Sequence, residues 1–253
     1  PLWKKLLRDQ RVLFVAGAHL RRLACWADTG IGKTLVAMAL ARYFRRAGVA
    51  RRFLVLVPGN INLAEWESER DLHCPRTSMI SLSGRMVDRW AALEEDKSLL
   101  TMTTYSGIVR LVSVKTAYAS IGKSKKKDVR KLELPCTTKI NKQHVVVPFL
   151  ESVGARAIFK LRDLRSCERT KDGVVVTYVG RLGWKVKLKP LKKLVDRLAS
   201  MFDGLIMDET SADQAVQYRS SLAWRVCRQL SRRAACAFAM SGTPFGRDPT
   251  PLW

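Results

Sequence analysis

The sequence predicts an α/β fold in which a parallel sheet is covered by helices on both faces. A fully apolar run, Phe53–Val57, ends at Pro58 and Gly59, which is typical of a strand buried on both faces. A glycine-rich turn at residues 27–34 joins an apolar run to a segment with helical periodicity. Strand-like runs alternate with helical segments over residues 1–110, a pattern that favours a doubly wound sheet.

The individual elements of this sheet can be placed in order. Residues 20–26 predict a strand that leads into the glycine-rich turn. Residues 34–47 predict a helix, because apolar side chains recur at helical spacing, arginines fill the last turn and Gly48 follows. Residues 98–104 predict another strand, and the apolar run 202–207 predicts one that ends on two acids.

The segment between these parts has a different composition. Residues 111–200 contain 22 Lys+Arg and 7 Asp+Glu, so +15 of the chain's +24 net charge lies there. A strand–helix connection takes about 30 residues, so the segment is too long to be one such connection. We therefore predict one α/β lobe formed by residues 1–110 and 202–253, interrupted at 111–201 by a basic insertion of β-rich or mixed structure.

Three local features are expected within the insertion. The run 122–127 predicts an exposed, mobile lysine-rich loop, and 191–201 predicts a short amphipathic helix. Residues 174–179 and 184–189 predict the arms of a β-hairpin. Alternation places one row of lysines on a single face of the second arm: Lys185, Lys187 and Lys189. The row either follows a phosphate backbone or protects an edge strand from aggregation.

The glycine-rich turn has the chemistry of a phosphate cradle. Gly30 and Gly32 allow backbone N–H groups to turn toward phosphates, and the following helix adds its positive N-terminal end. Lys33 can reach the β- and γ-phosphates, and the Thr34 hydroxyl can bind Mg²⁺. The general form of this motif has glycine where this sequence has Ala27. An ordinary glycine turn before a helix is the alternative.

Two adjacent acids supply the partner that such a cradle needs. Asp208 and Glu209 follow the apolar run 202–207. Asp208 is suited to hold Mg²⁺, and Glu209 is suited to polarise an attacking water as a general base. The alternative is a strand followed by a solvated acidic turn. Together with Lys33 and Thr34, the two acids predict a nucleoside triphosphatase site that uses ATP and Mg²⁺.

Composition indicates the class of partner and the compartment. A net charge of +24 from 46 Lys+Arg and 22 Asp+Glu favours a polyanion, and nucleic acid before a membrane surface. Six scattered cysteines without a Cys-x-x-Cys pair indicate reduced thiols in an intracellular protein, associated with cytoplasm, nucleoid or virus. We expect no membrane partner, since no apolar run is long enough to cross a bilayer. The chain begins at Pro1, and we expect it to be part of a longer protein.

The order of these motifs resembles the first RecA-like lobe of superfamily 2 helicases, and most closely the Swi/Snf-type translocases. The resemblance explains Ala27, because that superfamily carries A-x-T-G-x-G-K-T at this turn. It covers about residues 1–110 and 202–253. The segments that carry it are Leu6–Gln10, Ala27–Thr34, Val55–Pro58 with Trp66 and Glu69, Leu100–Tyr105, Asp208–Ser211 and Ser241–Pro244.

The resemblance implies a role for each segment. Gln10 would read adenine, and Lys33, Asp208 and Glu209 would form the catalytic centre. Residues that bind the nucleotide would be Gln10, Thr29, Gly30, Ile31, Gly32, Lys33 and Thr34. Residues that couple the ATP site to the bound nucleic-acid strand would be Ser241, Gly242 and Thr243. Residues that touch nucleic acid, most readily double-stranded DNA, would be Pro58, Asn60, Thr103, Thr104 and Tyr105, with Lys185, Lys187 and Lys189 from the insertion.

Two departures define the competing hypotheses. Ser211 stands where the family usually has histidine, and no motif of a second RecA-like lobe with its arginine finger follows Pro244. We expect that lobe elsewhere in the same protein or in another chain. The leading hypothesis is the ATP-binding lobe of a Swi/Snf-like DNA translocase or helicase. The alternative is a non-catalytic, strongly basic nucleic-acid-binding or structural component that retains a P-loop fold.

Overall fold

The computed structural model describes residues 6–28, 30–122, 129–153, 155–210 and 221–242. The described residues belong to two compact units. The first contains the chain up to Val112 and again from Lys192, and the second is Ser113–Leu191. Of the lysine-rich loop expected at 122–127, residues 123–127 lie outside the described residues. Thr29, Ser211 and Thr243 also lie outside them.

Helices and strands alternate in the first unit, whereas strands dominate the second. Up to residue 112 the elements are α1 (Arg8–Leu20), β1 (Arg22–Trp26), α2 (Lys33–Arg46), β2 (Phe53–Val57), α3 (Asn60–His73), β3 (Met79–Ser81), α4 (Met86–Glu95), β4 (Leu100–Thr104) and α5 (Tyr105–Val112). The second unit contains β5 (Ser113–Gly122), β6 (Val129–Pro135), β7 (Lys139–Ile140), β8 (His144–Leu150), β9 (Ala155–Lys160), β10 (Ser166–Arg169), β11 (Gly173–Val179) and β12 (Arg181–Pro190). The first unit then resumes with α6 (Lys192–Ser200), β13 (Gly204–Met207), α7 (Leu222–Arg233) and β14 (Cys236–Ser241).

The first unit is built on a six-stranded sheet with the order β1-β14-β13-β2-β4-β3, and every described pair in it is parallel. All five residues of β2 are buried, as its apolar composition predicts. Phe53, Val55 and Val57 share a core with Phe44 of α2 and Trp66 of α3. Helices α5, α6 and α7 pack together as a second group, and α5 also contacts β2. The predicted parallel sheet with flanking helices is therefore confirmed.

The parallel arrangement determines where functional groups can meet. Strands β1, β2, β4, β13 and β14 all end at the same edge of the sheet, because parallel strands share one direction. Ligands of open α/β sheets bind outside the carboxyl ends of their strands. The glycine-rich turn, the two acids and the Ser241–Gly242 pair each follow one of these strand ends.

The second unit contains two sheets around a small apolar core. One sheet has the order β10-β11-β6, and the other has the order β12-β5-β9-β8-β7. Val147, Phe159, Val174 and Val176 are among the buried residues of this core. Trp184 packs edge-on against Phe159 with ring centroids 5.2 Å apart. The insertion is thus mainly β-structure in its described part.

The predicted hairpin is wrong, although both of its strands exist. β11 pairs with β10 and β6, whereas β12 pairs with β5, so the two strands belong to different sheets. Gly180, with φ of +115°, stands between them and redirects the chain. The turn expected at 180–183 is correspondingly shorter, because Arg181 and the residues after it already pair with β5.

The helix expected at 191–201 is present as α6. It was predicted to belong to the insertion, but the helices that it contacts belong to the first unit. α6 packs against α5 and α7, which belong to the first unit. Its partly buried face includes Val195 and Leu198, both in the core. The second compact unit therefore ends at Leu191, earlier than the predicted insertion boundary at 201.

A buried carboxylate fixes the start of β4. Asp96 Oδ1 accepts a hydrogen bond from Ser98 N (2.7 Å), and Oδ2 accepts from Thr101 Oγ1 (2.8 Å) and Arg52 Nη2 (3.2 Å). Burial raises the pKa of Asp96, but the hydrogen bonds from Ser98 and Thr101 and the charge of Arg52 outweigh it and lower the pKa overall. The ionised form therefore stabilises the fold.

Asp96→Asn should lower the free energy of unfolding by about 1–3 kcal/mol at neutral pH, since it removes a charged acceptor. A lowered pKa in the folded state means that this contribution is present above the ordinary pKa of about 3.9 and is lost as pH falls through the lowered value. Denaturant titration of both proteins from pH 7 to pH 3 should show the difference shrinking in acid. Asp71→Asn, at an exposed carboxylate that pairs with the half-buried Arg70, is the control and should change little. A constant difference at all pH values would contradict this role.

Candidate nucleotide-binding site

The glycine-rich turn connects the end of β1 to the start of α2. Ala27 N donates a hydrogen bond to Ser241 O at 3.1 Å, which ties the turn to the end of β14. Gly30 and Gly32 have φ of +83° and +78°, a left-handed backbone that glycine adopts without steric cost. Gly32 is the N-cap of α2, so the first N–H groups of that helix point toward the turn. Ile31 is half-buried between the two glycines.

Lys33 turns its side chain back into the loop that precedes it. Its Nζ donates to Ala27 O at 2.9 Å and Asp28 O at 3.1 Å, and it lies 3.9 Å from Glu209 Oε1. Only 7% of Lys33 is exposed. Its ammonium is therefore placed among backbone oxygens and a carboxylate. Thr34, the next residue in the first turn of α2, is half-buried.

Gln10 is fixed against the other side of the turn. Its Oε1 accepts a hydrogen bond from Leu7 N at 2.9 Å, and its Nε2 donates to Ile31 O at 2.9 Å. A side chain at position 32 would put its Cβ 2.5 Å from Gln10 Nε2. The positive φ therefore favours glycine at 32, and a side chain there would displace the Gln10 amide.

Asp208 is buried where β13 ends, next to β2. Its backbone N donates to Leu56 O at 2.8 Å. Its carboxylate accepts hydrogen bonds from Trp66 Nε1 (2.7 Å) and Glu209 N (3.0 Å). Burial raises the pKa of Asp208, the Trp66 hydrogen bond opposes it, and the neighbouring Glu209 charge adds to the rise. The net pKa is raised despite the nearby Lys33, as expected for a carboxylate in a dry site.

Glu209 adopts a backbone conformation that is uncommon for a residue with a side chain. Its φ is +44°, in the left-handed region. Its Oε2 accepts a hydrogen bond from Gly242 N at 3.3 Å, and the next residue is anchored by Thr210 N, which donates to Met240 O at 3.1 Å. Such a conformation costs about 1–3 kcal/mol and persists where surrounding contacts impose it. It directs the carboxylate toward both Lys33 and Gly242.

The structure therefore brings the residues predicted for catalysis and coupling together. Lys33, Glu209 and Gly242 are linked by direct contacts, and Asp208 adjoins them. Ser241 is fully buried, and its backbone oxygen holds the start of the glycine-rich turn. Thr243 of the coupling set and Thr29 of the nucleotide-binding set lie outside the described residues.

The residues predicted to contact nucleic acid differ in how far they are exposed to solvent. Asn60 is exposed, and Pro58 and Thr104 are half-buried. Thr103 and Tyr105 are buried, at 2% and 0% exposure, so their side chains do not face solvent. Three lysines of the second unit, on the edge strand β12, are all exposed: Lys185, Lys187 and Lys189.

Two contacts of the site were not anticipated from the sequence. Trp66 was known only as part of a motif, and Tyr105 was assigned to the nucleic-acid surface. In the structure Trp66 binds the Asp208 carboxylate, and the Tyr105 hydroxyl donates to Asp208 O at 2.8 Å. A large aromatic residue with a polar tip, placed in a mostly polar helix, is the one signal that pointed to Trp66.

A family model described as the type III restriction enzyme, res subunit, matches residues 4–246. The match spans the glycine-rich turn, the two acids and the insertion between them. The chain belongs to this family. The sequence matches none of the curated proteins with which it was compared.

Solved structures extend the comparison for this res-subunit family member. The Pyrococcus furiosus Hef helicase domain matches with a TM-score of 0.50 and 14% identity, over 96% of this chain and 34% of that one. The Sulfolobus solfataricus SWI2/SNF2 ATPase core, solved in complex with dsDNA, matches with a TM-score of 0.49 and 14% identity, over 94% and 32%. The chain spans about a third of each. At this identity the Hef match shows a shared fold alone.

Among the helices in the described ranges, none combines the length and apolar character needed to cross a bilayer.

Proposed function

We propose that this chain is the ATP-binding lobe of a superfamily 2 ATP-dependent DNA translocase or helicase of the Swi/Snf-like type. One observation carries the proposal: the lysine of the glycine-rich turn, the second acid and the Ser241–Gly242 pair meet at one edge of the sheet. Lys33 lies 3.9 Å from Glu209, and Glu209 accepts a hydrogen bond from Gly242 N. Membership of the res-subunit family supports the same conclusion.

The residues of the turn fit a nucleoside triphosphate. Positive φ at Gly30 and Gly32 turns backbone toward the place where phosphates would lie, and no Cβ obstructs it. Lys33 would neutralise the β- and γ-phosphates, and Gln10, held against Ile31, would read adenine. The N-terminus of α2 adds favourable electrostatics for an anion.

A hydroxyl and a carboxylate form the donor set for Mg²⁺. Thr34 and Asp208 provide the hard oxygen ligands that Mg²⁺ prefers. When bound, Mg²⁺ would neutralise charge that develops on the phosphate oxygens. Glu209 would accept a proton from the attacking water as general base. Its imposed backbone conformation keeps that carboxylate aimed into the site.

Nucleic acid is the proposed track, and double-stranded DNA the proposed form. The net charge of +24 favours a polyanion, and Pro58, Asn60 and Thr104 lie at the edge where β2 and β4 end. A second RecA-like lobe, in the same protein or another chain, would supply an arginine finger. Such an arginine is worth about 10³–10⁵ in rate in related phosphoryl transfer.

A specific observation keeps a second function in view. The row of exposed lysines on β12 and the overall charge fit a basic nucleic-acid-binding or structural component that retains a P-loop fold without turnover. ATP turnover, measured on this chain and on a version extended past Trp253, with and without duplex DNA, separates the two. DNA-stimulated turnover supports the translocase lobe. No turnover in either protein, beside tight salt-sensitive binding, supports the non-catalytic component.

The lysine row allows a quantitative test of nucleic-acid contact. Lys185, Lys187 and Lys189 are replaced together by glutamine, and duplex binding is measured from 50 to 300 mM salt. If each lysine neutralises a phosphate, the slope of log K against log salt should fall in magnitude by about 0.9 for each lysine. The matched control replaces three exposed lysines of the first unit by glutamine: Lys97, Lys192 and Lys193.

The same variant tests the competing role of the row. β12 is an edge strand of the five-stranded sheet, and lysines on such strands prevent edge-to-edge pairing. An unchanged salt slope together with self-association, detected by light scattering, would assign the row to protection of the edge. A reduced slope without self-association would assign it to nucleic acid.

A further inference from the structure

Trp66 connects an exposed turn to the buried acid. Helix α3 begins at Asn60, immediately after the Pro58–Gly59 turn, and Trp66 lies about 9 Å further along its axis. Trp66 is 1% exposed, and its Nε1 donates to Asp208 Oδ2 at 2.7 Å. A displacement of the turn that moves the helix must therefore carry or break this hydrogen bond.

Tyr105 makes the corresponding connection from the neighbouring strand. It is the first residue of α5 and follows the half-buried Thr104, whose Oγ1 accepts a hydrogen bond from Gly107 N at 2.9 Å. The Tyr105 hydroxyl donates to the backbone oxygen of Asp208 at 2.8 Å. The buried ring leaves no exposed surface through which Tyr105 could act directly.

Both connections end on one residue. The carboxylate and the carbonyl of Asp208 are each held by an aromatic side chain from a different segment. Losing either partner would leave a polar group of Asp208 buried without that bond, at a cost of about 1–3 kcal/mol. The position of Asp208 is thus tied to the starts of α3 and α5 as well as to β13.

We propose that Trp66 and Tyr105 are positioning residues that couple nucleic-acid binding at Pro58–Asn60 and Thr104 to nucleotide binding at Asp208. The inference rests on the proposed function, because it assigns a track to those segments and Mg²⁺–ATP to the site. A ligand that fixes the positions of the starts of α3 and α5 also fixes the position of Asp208. By thermodynamic reciprocity, the nucleotide then tightens duplex binding by the same factor.

Equilibrium binding tests the coupling without requiring turnover. The affinity for a fluorescent DNA duplex is measured with and without a saturating non-hydrolysable ATP analogue and Mg²⁺, and the ratio is the coupling factor. Trp66→Phe and Tyr105→Phe, singly and together, remove the N–H and the hydroxyl but keep the rings. Matched controls are Trp90→Phe, whose Nε1 donates to Leu111 O, and Tyr178→Phe in the second unit.

For the unaltered chain we expect a coupling factor of about 5–150, the usual range for coupled sites. In the double variant it should approach one. The controls should keep the original factor. Should Trp66→Phe unfold the chain, as a thermal melt would reveal, Tyr105→Phe alone must still reduce the factor.

Three results would overturn the inference, and only the third would also overturn the proposed function. A double variant that couples like the unaltered chain would leave the proposed function intact and remove the role of the two aromatic residues. An unaltered chain that binds both ligands with no coupling would do the same. An unaltered chain that binds neither ligand would overturn the proposed function itself.

Discussion

Lys33→Ala is expected to lower the affinity for Mg²⁺–ATP about 100-fold and to abolish turnover. The Lys33 ammonium is held in the turn by two backbone oxygens, at 2.9 and 3.1 Å, where it would meet the phosphates. Hydrogen bonds to charged groups contribute about 1.5–3 kcal/mol each, and about 1.4 kcal/mol corresponds to a factor of ten. At the lower of these values, loss of two such bonds to a phosphate costs about 3 kcal/mol and gives the stated reduction.

Titration with a fluorescent ATP analogue and release of inorganic phosphate measure the two effects. Lys97→Ala, at an exposed position far along the chain from the turn, is the control and should match the unaltered chain in both. Thermal unfolding should be unchanged by Lys97→Ala. If Lys33→Ala bound the nucleotide normally, the glycine-rich turn would be an ordinary helix start and the proposed site would be wrong.

The parts of this site that could be predicted from the sequence are those set by local chemistry. β2 was predicted at its observed bounds, Phe53–Val57, because a strand buried on both faces needs an unbroken apolar run. The start of α2 was predicted to within one residue, because glycines with positive φ and arginines near the end bracket a helical period. Each of these signals lies within about 15 residues of the chain.

Strand pairing in the insertion could not be predicted in the same way. Two strand-like runs joined by a short turn that contains glycine usually form a hairpin, yet β11 and β12 enter different sheets. β11 pairs with its chain neighbour β10 and with the distant β6, whereas β12 pairs with the distant β5. Partner choice depends on which faces bury the shared core. Alternation of apolar residues does not encode that choice.

The contacts around Asp208 could not be predicted from the sequence, for a related reason. Trp66 and Tyr105 stand 142 and 103 residues from it in sequence. The resemblance placed both on segments that face bound nucleic acid. The inward orientation of their side chains follows only from the folded sheet. A buried carboxylate needs hydrogen-bond partners, so the sequence did imply that some donors exist, without naming them.

Glu209→Gln is expected to reduce turnover by about 10²–10⁴ while nucleotide affinity stays within a few-fold. Glutamine keeps an oxygen that can accept the hydrogen bond from Gly242 N and is similar in size, so the geometry at the end of β14 should persist. It cannot accept a proton from water at neutral pH. Removing the negative charge 3.9 Å from Lys33 also leaves that ammonium more available to phosphate, which favours binding.

The measurement compares steady-state turnover with nucleotide affinity in whichever form of the protein, this chain or the extended one, hydrolyses ATP. Glu168→Gln, an exposed glutamate on β10, is the control and should alter neither quantity. Turnover at the original rate would show that another group activates the water. Loss of affinity and turnover together would instead place the Glu209 carboxylate in the binding of Mg²⁺ and phosphate. Only loss of turnover with retained affinity fits a general base, because proton transfer stabilises the transition state and contributes nothing to the ground-state complex.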